Sequence, residues 1–397
     1  MTISKKIGEM MERSSWIRRM FDEGTKLKEK LGADNVFDFT LGNPVGEPPV
    51  RAEKELERLV TRPTTGSHRY MPNAGLPDAR AMIAAYLSRR SNLPFGAENV
   101  IMTVGAGGAL NVIIKALCDP GDEIVTIAPY FAEYTFYADN HQAKLIITES
   151  DEWFQPVAEN IEKAFTDKMR IVLLNSPNNP TGAVYPMDKL AKVAEAVERH
   201  SKKTGRPVYI VMDEPYRKLV YEGVEVPDVF AVSRRVIVAT SHSKDLNLPG
   251  ERIGYIAIHP EIEGVGKIFD AMTLANRILG FVNAPALFQR LVASLQDIQP
   301  DMGVYAQNRR ILVNGLKDIG YSVIPPDGGF YIFAKSPIKD DVKFVDILKK
   351  RNVLVVPGTG FGRGGYFRIA FCCSPEQCER SLPGFREAFE EAITERS

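Results

Sequence analysis

Short and almost entirely apolar runs alternate with longer polar or amphipathic stretches through the middle of this 397-residue chain. The stretches between them can form helices, as the amphipathic sequence at residues 187–205 does. Strands that are apolar on both sides are buried on both faces, and helices between consecutive strands permit parallel pairing. The pattern therefore predicts an α/β domain with a mostly parallel seven-stranded sheet flanked by helices. The predicted strands are NVIMTV, EIVTIA, KLIITES, RIVLLNSP, PVYIVMD, RVIVATS and GYIAIHP.

The pattern changes near residue 300, where a long helical stretch, MGVYAQNRRILVNGLKDIG, leads to three short apolar runs and a closing helix. This order predicts a smaller α+β domain. At the other end, charged residues with apolar positions at helical spacing predict an amphipathic helix from about residue 5 to 31. We therefore expect an N-terminal helix and segment over 1–46 that join the small domain, a large domain over 47–300 and the small domain over 301–397. The apolar positions of the N-terminal helix are Ile17, Met20, Phe21, Leu27 and Leu31.

Charge and cysteine content narrow the functional classes. Lys and Arg number 50, and so do Asp and Glu, so the net charge of zero argues against a basic nucleic-acid face or a membrane anchor of basic residues. No apolar run approaches the ~18 residues of a membrane span, and the N-terminus lacks the apolar core of a signal peptide. The four cysteines include no CxxC pair, so we expect no metal site and a reduced, cytoplasmic protein.

Ligands of open α/β sheets bind outside the carboxyl ends of the strands, so the residues after each strand are the candidates. A glycine-rich turn, 105–108, precedes a predicted helix and is either an anion cradle or a plain tight turn. It is not a dinucleotide fingerprint, because Leu110 stands where GxGxxG needs glycine.

Asn178–Gly182 is expected to form a rigid loop after another strand. Asp213 ends a very apolar strand, where a carboxylate needs a cation unless it caps a helix.

Two basic side chains stand at positions where charge is costly. Lys244 follows the strand RVIVATS, and a lysine in an apolar site can form a Schiff base, although a single lysine is more often a surface residue. Ser241 and Lys244 also match the SxxK of penicillin-recognising enzymes, but the KTG at 203–205 precedes them and no Ser-Asp-Asn is present. Arg368 lies in the apolar strand YFRIAF and calls for a carboxylate, from a substrate or from a structural ion pair.

The order NSPNNPTG, DEPY, SHSKxxxxPGxRxGY and YFRIAF resembles the class I/II, fold-type I pyridoxal-phosphate aminotransferases, of the aspartate-aminotransferase kind. The likeness runs from residue 41 to 371. It implies a homodimer with shared active sites that moves an amino group between an L-amino acid and a 2-oxo acid by a ping-pong mechanism. Relatives on the same scaffold leave two alternatives open, a carbon–sulfur β-lyase and, more remotely, a pyridoxal-phosphate-binding regulator.

The resemblance also implies roles for particular residues. Lys244 is implied to hold the cofactor aldehyde and to act as general base, and Asp213 to pair with the pyridine nitrogen. Tyr216 and Asn179 are implied to bond the ring oxygen, and Phe131 to stack on the ring. The residues implied for the cofactor phosphate are Ala106, Gly107, Ser241, Ser243, Arg252 and, from the neighbouring subunit, Tyr70.

For the substrate, the resemblance implies that Arg368 binds the α-carboxylate, with the backbone of Gly42 and Asn179 nearby. Arg277 lies at about the distance after Arg252 at which the aspartate-specific branch carries a second arginine, but no motif anchors that alignment. Arg277 is therefore either a ligand of a distal carboxylate or a surface arginine.

Overall fold

The computed structural model describes residues 2–13, 16–63 and 65–394, and within 12–22 no side chains. Its strands are β1 Phe37–Asp38, β2 Val100–Thr103, β3 Glu123–Ala128, β4 Lys144–Glu149, β5 Met169–Asn175, β6 Tyr209–Asp213, β7 Val236–Ser241, β8 Gly254–Ile258, β9 Tyr331–Lys335, β10 Val353–Leu354, β11 Val356–Pro357 and β12 Tyr366–Ala370. Its α-helices are α1 Lys5–Arg13, α2 Trp16–Leu31, α3 Val50–Thr61, α4 Pro77–Ser91, α5 Gly105–Leu117, α6 Glu133–Asn140, α7 Ala158–Lys163, α8 Met187–Thr204, α9 Val265–Ile278, α10 Ala286–Ala293, α11 Gly303–Ile319, α12 Asp341–Lys349 and α13 Pro375–Thr394.

All seven predicted apolar runs lie in one sheet, in the order β2-β8-β7-β6-β5-β3-β4. Strands β3 to β7 pair in parallel, whereas β8 pairs antiparallel with both β7 and β2. The reason is the connection at residues 242–253, which contains no crossover helix of the kind that a parallel return needs. The predicted α/β class with a mostly parallel sheet is confirmed.

Helices cover both faces of this sheet. Alternate residues of β5 point to opposite sides, with Val172 and Leu174 in one buried cluster and Ile171 and Leu173 in another. Such two-sided burial explains why these strands are nearly continuous apolar runs in the sequence.

A third buried cluster gathers the C-terminal elements, where β9, β11 and β12 form an antiparallel sheet. The N-terminal segment joins this part, because β1 pairs in parallel with β10 through Phe37 and Val353. Next to it, the backbone N–H of Ala370 donates to the carbonyl oxygen of Phe39 over 2.9 Å. Residues just before Gly42 are thereby fixed beside the strand that carries Arg368.

The helix predicted over about 5 to 31 corresponds to α1 and α2. Residues 14 and 15, between them, lie outside the described residues, as do the side chains of Ile17, Met20 and Phe21. Of the remaining apolar positions, Leu27 is half-buried and Leu31 is exposed.

No described helix is both long and apolar enough to cross a membrane. The described residues also contain no cluster of three or more His, Cys, Asp or Glu side chains that could hold a metal ion. All four cysteines are free thiols, of which only Cys378 is fully buried.

Candidate active site

A cavity of about 360 Å³ lies at the carboxyl edge of the parallel strands, between the large sheet and the C-terminal sheet. Its volume is that of a site for a small cofactor or metabolite. It brings together most of the residues that the sequence analysis singled out. These are Gly42, Ala106, Gly107, Phe131, Asn179, Asp213, Tyr216, Ser241, Ser243, Lys244, Arg252 and Arg368.

Lys244 stands on the turn after β7, with its side chain in the cavity wall. Its Nζ donates a 2.7 Å hydrogen bond to the carbonyl oxygen of Gly42 and lies 5.4 Å from the ring centre of Phe330. Desolvation lowers the pKa of Lys244 to about 8, and the positive charges of Arg252 and Arg368 act in the same direction. A lysine with this pKa has a substantial neutral fraction near pH 8, as a nucleophile or a general base requires.

Asp213 is buried at the end of β6, and its two carboxylate oxygens differ in their hydrogen bonding. Its Oδ2 accepts a 2.7 Å hydrogen bond from the hydroxyl of Tyr134, whereas the buried Oδ1 has no partner among the described residues. Desolvation, supported by the neighbouring charge of Glu214, raises the pKa of Asp213 to about 7, against the effect of the Tyr134 bond. The site therefore offers an acceptor that a cationic N–H would satisfy.

The glycine-rich turn forms the start of α5, so its first backbone N–H groups have no partner within the helix. Gly105 has a φ of +76°, and a Cβ at this position would lie 2.8 Å from Nη2 of Arg252. The backbone conformation thus favours glycine, and a side chain here would require the guanidinium of Arg252 to shift. Free N–H groups, the helix dipole and an arginine together make an anion site, which Ser241 and Ser243 also face.

Arg368 reaches the cavity from β12. Its Nη1 donates to Oδ1 of Asn179 over 3.1 Å, and its Nη2 donates to the carbonyl oxygen of Thr40. The guanidinium lies 4.8 Å from the ring centres of Tyr331 and Phe361. Its side chain is buried, its Nε has no partner, and no carboxylate pairs with it among the described residues. A buried arginine held only by neutral groups is prepared for an anionic ligand.

Aromatic side chains complete the walls. The hydroxyls of Tyr216 and Tyr331 are 3.0 Å apart, and burial raises the pKa of Tyr216 well above its ordinary range, so both remain neutral donors. Phe131 packs edge-on against Tyr134, with ring centres 5.6 Å apart.

Two residues considered in the sequence analysis lie outside this cavity. Tyr70 is 94% exposed, and its side chain takes no part in the cavity of its own chain. Arg277 is exposed in the last turn of α9. Neither residue lines the cavity of its own chain.

The sequence analysis missed several groups that shape the site. Tyr134 belongs to the same PYFAEY segment as Phe131, but nothing in the spacing marks its bond to Asp213. Asn175 was also missed; its Nδ2 donates to the backbone oxygen of Asp213 over 2.8 Å, and its Oδ1 accepts from the N–H of Asn179 over 2.7 Å. Thr40 acts through its backbone, for which the residue type gives no signal.

Comparison with known proteins agrees with this geometry. The sequence profile described as aminotransferase class I and II matches residues 34–383. The chain is 31% identical, over 91% of its length and 93% of the relative's, to a probable aspartate/prephenate aminotransferase of Thermus aquaticus. A crystal structure of an aminotransferase from Eubacterium rectale superposes with a TM-score of 0.95 at 37% identity, over 99% of both chains. The aspartate aminotransferase of Thermus thermophilus with maleate gives a TM-score of 0.86 at 26% identity, over 98% of this chain and 100% of that one.

Proposed function

Because the chain belongs to the class I and II aminotransferases, we propose that its cavity is the active site of a pyridoxal-phosphate-dependent enzyme that moves an amino group between an L-amino acid and a 2-oxo acid. The two substrates bind in turn, in a ping-pong sequence. One observation carries the proposal. A lysine of lowered pKa, a buried carboxylate with a free oxygen and a buried arginine without a carboxylate face the same cavity.

The residues present fit the cofactor. The unpartnered Oδ1 of Asp213 is a suitable acceptor for a protonated pyridine nitrogen, which is the cation that this buried carboxylate lacks. When bound, pyridoxal phosphate supplies an electrophilic aldehyde and a ring that accepts electrons from the substrate. Asp213 maintains the positive charge on the ring nitrogen, and Tyr134 and Asn175 hold Asp213 in place.

The anion site at the start of α5 fits the phosphate. The N–H groups of Ala106 and Gly107, the hydroxyls of Ser241 and Ser243, and the guanidinium of Arg252 supply its donors and its counter-charge. Phe131 and the Tyr216 hydroxyl contribute a stacking face and a hydrogen bond to the ring, with Asn179 as a further donor.

Lys244 is the proposed catalytic residue. Its amine would hold the cofactor through the aldehyde and, as a free amine, would take the proton from Cα of the amino acid. Both tasks need the neutral amine, which the lowered pKa of Lys244 makes available. In the chain without cofactor, the carbonyl oxygen of Gly42 orients Nζ.

Arg368 is the proposed ligand of the substrate α-carboxylate. Asn179 and the carbonyl of Thr40 hold its guanidinium in one orientation, so the carboxylate is bound in one pose. A carboxylate fixed in this way would decide which Cα bond of the substrate is presented for cleavage. Gly42 leaves room for this approach, since a Cβ there would overlap the hydroxyl of Tyr331.

We also propose that the enzyme is a homodimer in which Tyr70 of one copy reaches the phosphate site of the other. The high exposure of Tyr70 in the single chain supports this arrangement. We also propose the division into 1–46, 47–300 and 301–397, which is supported by a buried cluster drawn mostly from residues after 300, together with Phe39 of the N-terminal segment. A cytoplasmic location is proposed on the four free thiols.

The test is an absorbance titration of the holo-protein with single L-amino acids. Conversion of the aldehyde form of the cofactor to its amine form, reversed by a 2-oxo acid, supports an aminotransferase. Because two of the relatives are named for aspartate, L-aspartate belongs among the first donors. Release of pyruvate and ammonia without conversion indicates a β-lyase instead, and no response to any amino acid indicates a regulator.

A further inference from the structure

Glu133 places a negative charge in the cavity wall that the proposed mechanism does not use. It is the first residue of α6, is half-buried and lines the cavity. No hydrogen bond or ion pair of its carboxylate is found among the described residues. Burial raises the pKa of Glu133, and no nearby cation opposes that rise. A partly desolvated carboxylate without a partner is available to a ligand.

The other charged side chains of the cavity already have partners in the proposed reaction. Lys244 and Arg252 serve the aldehyde and the phosphate, Asp213 serves the ring nitrogen, and Arg368 serves the α-carboxylate. Among the described residues that line the cavity, Glu133 is then the only charged group left to meet a substrate side chain.

The wall beside Glu133 carries no base at position 107, where the chain has glycine. A Cβ at Gly107 would lie 2.9 Å from the hydroxyl oxygen of Tyr137, so this tyrosine fills the space where a side chain at position 107 would begin. Tyr137 follows Glu133 by one helical turn, and the charge of Glu133 contributes to its raised pKa after desolvation. Helix α6 therefore presents an acid and a phenol side by side.

We propose that Glu133 is a specificity-determining residue, which favours amino donors whose side chain ends in a cation and disfavours those whose side chain ends in a carboxylate. The inference rests on the proposed aminotransferase function. It concerns only the contact with the substrate side chain, because Arg368 and Lys244 are proposed to act on groups that every α-amino acid carries. A like charge opposite Glu133 costs binding energy in a site with little water, whereas a cation gains it.

The test compares wild type with Glu133→Gln, which keeps the shape and removes the charge. The half-reaction rates with L-ornithine, L-glutamate and L-aspartate are each divided by the rate of the same protein with L-alanine. Glu159→Gln is the matched control, since Glu159 also lies in the first turn of a helix but is exposed and outside the cavity. We expect the ornithine ratio to fall and both dicarboxylate ratios to rise, each by about tenfold or more, and the control ratios to stay at the wild-type values.

Unchanged ratios in Glu133→Gln overturn the inference, as does a wild type that prefers aspartate and loses that preference in the variant. Failure of the proposed function looks different. In that case wild type does not convert the cofactor with alanine or with any other donor, so no ratio can be formed. A preference for dicarboxylates that persists in both proteins assigns the side-chain contact to another group, such as a cation from a second copy, and also overturns the inference.

Discussion

Nζ of Lys244 donates a 2.7 Å hydrogen bond to the carbonyl oxygen of Gly42, which lies 202 residues earlier in the chain. The contact joins the carboxyl edge of the large sheet to the N-terminal segment. It holds the amine in the cavity through a neutral backbone oxygen, which adds no negative charge to oppose the lowered pKa of Lys244.

Replacing Lys244 by alanine tests the proposed nucleophile. Loss of both the covalent link and the general base should reduce amino transfer by at least about a thousandfold. Multiple-turnover assays with an amino acid and a 2-oxo acid measure the loss, and circular dichroism checks the fold. Lys192→Ala is the control, since Lys192 is exposed on α8. Full turnover by Lys244→Ala would refute the assignment.

Asp213→Asn should remove a pH dependence of stability in the cofactor-free protein. Folding raises the pKa of Asp213 from 3.8 to about 7, which corresponds to about 4 kcal/mol. The folded state therefore retains a proton that the unfolded chain releases, and the free energy of unfolding falls as the pH rises between about 4 and 7. Above pH 7 this cost is complete.

We therefore expect cofactor-free Asp213→Asn to melt above wild type at pH 8 and close to it at pH 4. The gain should be less than the full cost, because the new amide N–H takes the place of an oxygen without a partner. With cofactor bound, the order should reverse and activity should fall. Asp318→Asn, at an exposed position, is the control. Equal melting temperatures of wild type and Asp213→Asn across this pH range would contradict the raised pKa of Asp213 in the folded protein.

Arg368→Lys tests the carboxylate contact. Lysine keeps the charge but loses the fork that Asn179 and the carbonyl of Thr40 orient. We expect kcat/KM to fall by about 10- to 100-fold for every amino donor, since each carries the same α-carboxylate. Arg386→Lys, on the exposed face of α13, should leave kcat/KM at its wild-type value. An effect confined to one donor would place Arg368 against the side chain instead.

Mixing two inactive copies tests whether the active sites are shared. Lys244→Ala and Tyr70→Ala should each be impaired alone. In a hybrid with sites shared between subunits, one site carries both defects and the other carries none, so the purified hybrid should show about half of the wild-type activity and a randomly paired mixture about a quarter. Coexpression with two affinity tags isolates the hybrid for measurement. No recovery in a purified hybrid would show that Tyr70 serves its own chain or no site.

Arg277→Ala separates a surface arginine from a ligand of a distal carboxylate. Its exposure in α9, together with the acid at position 133, leads us to expect equal small effects on alanine and aspartate. Half-reaction rates with the two donors give the comparison. A selective loss with aspartate would instead assign Arg277 of a second copy to the side-chain pocket.

How far the sequence predicts this site depends on the kind of signal each residue leaves. Lys244 and Asp213 were found because a charge at the end of an apolar strand is costly, and parallel strands bring their carboxyl ends to one edge. The bond from Tyr134 to Asp213 left no such signal, since it depends on where a helix 79 residues earlier packs. The carbonyl of Thr40 was invisible for a different reason, because every residue type carries one.

The elements of the fold also differ in how strong a signal they leave in the sequence. The seven strands were predicted because burial on both faces excludes polar residues from them, whereas the antiparallel direction of β8 follows from a connection without a crossover helix. The pairing of β1 with β10 was not predicted. Strands of two residues carry too short a pattern to be recognised, and their partners lie far apart in the sequence.

That pairing also sets an order of events during synthesis. The ribosome makes Phe37 long before its partner Val353, so the N-terminal segment has no strand to join until synthesis has passed Val353. Until then Thr40 and Gly42 cannot support Arg368 and Lys244. A chain that ends before Val353 thus presents Lys244 without this part of the cavity wall, and binding of the proposed cofactor is expected only after β10 has been made.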